Sequence, residues 1–218
     1  MLQKRIDEIK SKLPEGVRLI AVSKTYSAEV INEAIDCGVT DIGENKVQEI
    51  LAKYDSVKPV RWHFIGHLQT NKVKQIVDKV DMIHSVDSLH LAEEISKRAN
   101  KPIDVLIQVN AAAETQKFGV APNQVQDLAN AIVKLPNINL RGLMHIAPAS
   151  DNPEDVRVYF KQVKKIFDEL KPQFGEGFDT LSMGMSNDFE VAIEEGSNCV
   201  RIGTAIFGQR DYSNKQGE

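Results

Sequence analysis

Lys24 ends an apolar run, Leu19-Ile20-Ala21-Val22-Ser23, that reads as a buried strand, so it stands where a strand meets its loop. Burial disfavours an ammonium and lowers its pKa, so a lysine at such a place is either paired or a free amine able to attack an aldehyde. Two later stretches, Met183-Gly184-Met185-Ser186-Asn187-Asp188 and Arg201-Ile202-Gly203-Thr204-Ala205, carry what an anion needs. Gly184 and Gly203 let the backbone approach closely, and Ser186 and Thr204 add hydroxyl donors. Either stretch alone reads as a capped helix or a tight turn; side by side on adjacent strands they point to a phosphate. Arg201 lies inside an apolar strand and must find acceptors there. These are either a strand-end carboxylate such as Glu44 or a heteroatom of a ligand.

Other chemistries find less support. His63 and His67 are four apart, which suits metal ligation on a helix, but on a strand that spacing separates the side chains by roughly 13 Å. No metal is expected. The stretch from Gly203 to Gly208 is followed by Gln209-Arg210 and lacks the Lys-Ser/Thr of a phosphate-binding P-loop. Gly184-Met185-Ser186 lacks the second glycine of a G-x-S-x-G nucleophile elbow. Asn71-Lys72-Val73-Lys74 reads as a solvated helix face.

The elements that must position these residues alternate strictly. A charged helix over about 2–12 precedes strand-like runs at 17–23, 41–43, 62–66, 82–85, 103–109, 140–145, 181–184 and 200–202. Between them lie helical segments with apolar residues at three and four spacing, such as Val30, Ala34 and Ile35, or Leu128, Ala131, Ile132 and Leu135. Pro122 and Pro153 sit where they can open helices, and Asp87 and Ser186 where they can cap them. Eight β-α units need right-handed crossovers into a parallel sheet, and that count predicts a (β/α)₈ TIM barrel spanning residues 1–218 as one domain, with a flexible tail at 209–218. A doubly wound sheet would show a glycine-rich turn after its first strand, where this chain has Lys24-Thr25-Tyr26-Ser27. In a barrel, chemistry gathers at the C-terminal strand ends, here Ser23-Lys24, Glu44-Asn45, His67, His84-Ser85, Asn110, His145, Met185-Ser186 and Gly203-Thr204.

The chain has 218 residues, 42% hydrophobic and 27% charged, with a net charge of −4, so neither disorder nor a nucleic-acid surface built on general basicity is expected. No apolar stretch approaches membrane-helix length, and the charged start does not resemble a signal peptide; a cytoplasmic location follows. Cys37 and Cys199 are too few for a disulfide framework and read as reduced core residues.

Taken in order, Val22-Ser23-Lys24-Thr25, Gly43-Glu44-Asn45-Lys46-Val47-Gln48-Glu49, Trp62-His63-Phe64-Ile65-Gly66-His67-Leu68-Gln69-Thr70-Asn71-Lys72, His84-Ser85-Val86-Asp87, Gly142-Leu143-Met144, Leu181-Ser182-Met183-Gly184-Met185-Ser186 and the run from Val200 to Gly208 resemble the pyridoxal-phosphate homeostasis protein family. These are single-domain relatives of the alanine racemase barrel, and the resemblance covers nearly the whole chain. It implies a (β/α)₈ barrel in which Lys24 forms the internal Schiff base with pyridoxal 5′-phosphate (PLP). Ser186, Gly203 and Thr204 would hold the phosphate, Arg201 would face the pyridine nitrogen, and Asn45 would order the cofactor or Lys24. An arginine donates there without giving up its proton, which keeps the ring nitrogen neutral and the cofactor a weak electron sink. The chain departs from the family pattern at Ser27, Lys46 and His145.

The function implied is a PLP-binding protein without turnover of its own, one that keeps free PLP low and passes it to PLP-requiring apoenzymes. A monomer is expected. The racemases add a second base from another domain and subunit, for which this chain has no room after its eighth strand. The alternative is a small amino-acid racemase or aldolase, with Lys24 as base and His84 or His145 as the second acid/base. A sugar-phosphate enzyme would use the same anion site without the lysine.

Overall fold

The computed structural model describes residues 1–114 and 116–208; the expected tail at 209–218 lies outside them. Helix α1 (Leu2–Ser11) precedes β1 (Arg18–Val22), and the chain then alternates: α2 (Ala28–Asp36), β2 (Asp41–Glu44), α3 (Val47–Lys53), β3 (Arg61–Phe64), α4 (Val73–Ile76), β4 (Met82–Val86), α5 (Leu89–Arg98), β5 (Ile103–Val109), α6 (Val125–Ile132), β6 (Ile138–His145), α7 (Arg157–Phe174), β7 (Thr180–Ser182), α8 (Phe189–Glu194), β8 (Cys199–Ile202) and α9 (Thr204–Phe207). The eight strands pair in parallel and in chain order, and β8 closes on β1 through Arg18 to Ala21 against Cys199 to Ile202. This is the (β/α)₈ barrel, with all eight expected strands present and their ends moved by at most two residues.

The seam between β7 and β8 is the shortest, with Ser182 opposite Cys199. Side chains extend it. Asn198 Oδ1 accepts from Leu181 N at 2.8 Å, its Nδ2 donates to the Asp179 carbonyl at 2.6 Å, and Ser197 Oγ donates to the Met183 carbonyl at 2.8 Å. The loop leaving β7 is thus anchored at its root, and Arg201 N of β8 donates to its Gly184 carbonyl at 3.0 Å.

Helices cover the sheet with one apolar stripe each. On α5, Leu91, Ala92 and Ile95 are buried, and Ser88 caps the helix by accepting from Leu91 N at 3.2 Å, a contact worth about 1 kcal/mol. The cap is Ser88 rather than Asp87. Pro122 and Pro153 open short 3₁₀ turns that lead into α6 and α7. On α2 the buried pair is Ile31 and Ala34, and on α6 Val125, Leu128, Ala129 and Ile132, each stripe turned slightly from the one the spacing suggests. The sheet face each helix meets, and not its own period alone, sets which flank is covered.

Strand alternation sends the other side chains inward. Met82, Leu106 and Met144 form a separate apolar cluster with Ile146 packed on it. Met82 shares its face of β4 with His84, so that strand turns one apolar and one polar side chain into the barrel. Cys199 is buried and Cys37 half-buried, both as free thiols. Among the described residues no helix is long and apolar enough to cross a membrane.

Candidate functional site

A cavity of about 290 Å³ opens at the C-terminal mouth of the barrel. Lys24, Asn45, Ser186, Arg201, Gly203 and Thr204 all line it, together with Val22, Ile65, Ile146 and the loop from Pro148 to Ser150. Six residues from four strand ends, as far apart in the chain as positions 24 and 204, thus meet in one place. Parallel closure requires it, because every strand delivers its C-terminal end to the same rim.

Lys24 is half-buried, two residues beyond the end of β1, and the chain on either side of it is tied down. Thr25 has φ +74, a left-handed conformation that a β-branched residue rarely adopts. Its N–H donates to Glu49 Oε2 at 2.5 Å. On the other side, Ser23 Oγ donates to Glu44 Oε1 at 2.7 Å. Lys53 Nζ joins the two carboxylates, at 2.9 Å from Glu44 Oε1 and 2.8 Å from Glu49 Oε2. Glu44 is fully buried, and burial pushes its pKa up to about 7 against the opposing pull of Lys53 and Ser23. Burial also acts on Glu49, but its bonds from Lys53 and Thr25 prevail and hold it below the ordinary value.

Asn45 enters the cavity from the end of β2 with its Oδ1 buried and unpartnered. Gly66 makes this placement possible: a Cβ there would stand 2.1 Å from the Asn45 carbonyl oxygen. In the wall opposite, Ser186 Oγ accepts from Gly203 N at 3.3 Å and Ala205 N at 3.5 Å, so two backbone N–H groups already converge on one oxygen. Such convergent amides form a concavity suited to an anion. Asp188 accepts from Met185 N at 2.6 Å and closes the turn that carries Ser186; burial raises its pKa, and Arg201 acts the other way.

Arg201 is buried, and its acceptors are not carboxylates. It donates to Ser182 Oγ at 2.6 Å and to the His145 carbonyl at 2.8 Å, while Glu44, the carboxylate considered from sequence, is engaged by Lys53 and Ser23. Burial lowers its pKa, yet a guanidinium keeps its proton in a folded chain. Two of its N–H groups are thus spent on protein, leaving others for a ligand.

The expected mouth histidines lie elsewhere. β4 runs on past His84, which is fully buried and bonded to His63 and Ser182, and His145 is 1% exposed with Nδ1 on the Val109 carbonyl at 2.8 Å. Neither lines the cavity. Burial drives His84 well below its usual pKa and His145 down to about 4, so both are neutral at pH 7. His63 and His67 go to different partners, His63 to Asp41 and His67 to Asp87 at 3.5 Å with its ring stacked on Phe118. The local sequence pattern carries no sign of Glu49 and Lys53 as parts of the site, since both sit on a helix where an i,i+4 pair looks like surface decoration.

Residues 1–211 match the family model for the alanine racemase N-terminal domain. The chain is 50% identical over 200 residues to the pyridoxal phosphate homeostasis protein of Aquifex aeolicus (strain VF5), covering 89% of this chain and 88% of that one. It belongs to the pyridoxal phosphate homeostasis protein family. The Escherichia coli (strain K12) member of that family is 44% identical over 211 residues, covering 93% of this chain and 89% of its own. Among solved structures, PipY of Synechococcus elongatus PCC7942 without PLP superposes with a TM-score of 0.90 at 35% identity, over 95% of this chain and 100% of PipY. The same protein with PLP bound gives 0.86 at 34%, with the same coverage. The alanine racemase of Clostridium difficile 630, at 17% identity and a TM-score of 0.74, shares the fold; this chain covers 56% of it.

Proposed function

We propose that the chain binds PLP in the mouth cavity and serves in PLP homeostasis, holding the cofactor and releasing it to PLP-requiring apoenzymes in the cytoplasm, as a monomer. The observation that carries this is the convergence on one cavity of an amine at a strand end, a buried arginine and a pair of anion-binding loops. The homeostasis proteins it resembles, and PipY with PLP bound, support the same reading.

The residues present fit the group. Asn45 Oδ1 is a buried acceptor still wanting a donor, and the amides of Gly203 and Ala205 already surround an oxygen. Ser186, Gly203 and Thr204 would take the phosphate, Arg201 the ring nitrogen, and Asn45 would orient the cofactor or Lys24. When bound, PLP supplies an aldehyde. Lys24 would be the residue that holds that aldehyde, through its side-chain nitrogen.

Turnover is not expected. Among the described residues, the titratable groups lining the cavity besides Lys24 are Asp188, occupied by Met185 N, and Arg201, which holds its proton. A racemase needs a second group able to exchange a proton on the opposite face of the substrate, and the two candidate histidines are buried away from the mouth. Borohydride reduction of the PLP-loaded chain followed by peptide mapping tests the assignment: a stable pyridoxyl group on Lys24, absent in Lys24→Ala, is expected. A label on another lysine overturns it, and rapid formation of D-alanine from L-alanine by the loaded protein overturns the absence of turnover.

A further inference from the structure

A single file of buried polar side chains crosses the barrel from its N-terminal end to the cavity. Asp41 opens β2, and its Oδ1 lies 2.8 Å from His63 Nε2. His63 Nδ1 lies 3.0 Å from His84 Nε2, and His84 Nδ1 3.1 Å from Ser182 Oγ, which accepts from Arg201 at 2.6 Å. All five side chains are at most 3% exposed.

The chemistry of the two ends dictates the protons between them. Arginine only donates and an ionised carboxylate only accepts, while a neutral imidazole or a hydroxyl brings one proton. Starting from Asp41, His63 must donate from Nε2, so its Nδ1 accepts from Nε2–H of His84. His84 Nδ1 then accepts the Ser182 hydroxyl proton, which leaves the serine oxygen to accept from Arg201. Every bond runs one way, from Arg201 to Asp41. Reversing one would set two acceptors or two donors face to face, or require a buried imidazolium. Burial works against the charge on Asp41, but the bonds from His63 and Thr40 and Arg61 at 2.8 Å keep it ionised at the far end, where Arg18 lies 3.9 Å away and a second cavity of about 520 Å³ reaches it.

We propose that Asp41 is a positioning residue for Arg201, acting through His63, His84 and Ser182 to fix the hydroxyl on which the guanidinium rests and so the N–H groups it turns to the cavity. A buried cation with no direct carboxylate partner among the described residues is thereby tied to a carboxylate at the opposite end of the barrel. The file polarises along its length, because each donor strengthens the next. This extends the proposed PLP site, but its first test does not depend on PLP.

In the ligand-free, ¹⁵N-histidine-labelled chain, long-range ¹H–¹⁵N correlations should show His63 and His84 protonated on Nε2 only; a proton on Nδ1 of either ring overturns the proposal even if no variant folds. In Asp41→Asn, whose amide can donate as well as accept, both rings should populate the Nδ1–H form. Ser182→Ala should leave both tautomers unchanged, since Asp41 still anchors them. Both variants should bind PLP about fivefold or more weakly in absorbance titrations. Unchanged tautomers in a folded Asp41→Asn, or unchanged PLP affinity in both variants, overturns the proposal. A wild-type chain that shows the expected tautomers but binds no PLP overturns the functional reading and leaves the directed file standing.

Discussion

Lys53 Nζ bridges Glu44 and Glu49 at 2.9 and 2.8 Å, and through these two carboxylates one ammonium ties down both neighbours of Lys24. Ser23 is held by Glu44 and Thr25 by Glu49, so the strained turn that presents Lys24 is set from outside the cavity. Rigid support of this kind is what a reactive amine needs to meet its target in one geometry.

Glu49→Gln keeps the shape but loses the charge-assisted bond to Thr25 N–H and half of the Lys53 contact. We expect a stability loss of about 1–2 kcal/mol and slower borohydride trapping of PLP at Lys24. Urea denaturation and timed peptide mapping measure the two effects. Normal trapping in a destabilised variant would separate the turn from the reactivity of the lysine.

Glu44 sets a pH dependence of definite sign. Its pKa is about 7 in the folded chain against the ordinary 4.5, so between those values the folded state holds a proton that the unfolded state has lost. Its contribution is complete below about 4.5, declines as pH rises to about 7, and amounts to a loss on the order of 3 kcal/mol. His145, depressed to about 4, and His84 and His63, also lowered by burial, work in the opposite direction up to their ordinary value of 6.5, so the raw profile mixes these groups with Glu44. The difference in unfolding free energy between wild type and Glu44→Gln, measured from pH 5 to pH 8, isolates the carboxyl: it should drift towards the variant as pH rises. A flat difference would mean Glu44 is ionised throughout.

Ser186→Ala removes the oxygen on which the Gly203 and Ala205 amides converge. PLP affinity should fall about tenfold, or ~1.4 kcal/mol, while pyridoxal, which lacks the phosphate, should bind as before. Parallel titrations with the two vitamers decide it. An equal loss for both would move the phosphate away from Ser186.

Gly66→Ala places a methyl group 2.1 Å from the Asn45 carbonyl oxygen, a contact that only backbone movement can relieve. We expect a destabilisation of about 2 kcal/mol or more and weaker PLP binding, because Asn45 must shift. Thermal unfolding alongside PLP titration gives both numbers; a variant as stable as wild type would show that the β2 and β3 ends can separate freely.

The primary structure alone determined the eight strands, their order and six of the residues that line the mouth cavity. Apolar runs, helical spacing and the punctuation between them are local signals, and parallel closure then leaves one rim on which Lys24, Asn45, Ser186, Arg201, Gly203 and Thr204 can meet. Which side chain holds which was settled only by the closed barrel. Arg201 rests on Ser182 and a backbone carbonyl instead of Glu44, and His84 faces His63 and Ser182 inside the barrel instead of the mouth. Lys53 on α3 turned out to anchor the Lys24 turn. These partners lie up to 98 residues apart, as His84 and Ser182 do. Strand stagger around the barrel decides which positions share a layer, and no local pattern of residue types encodes that stagger.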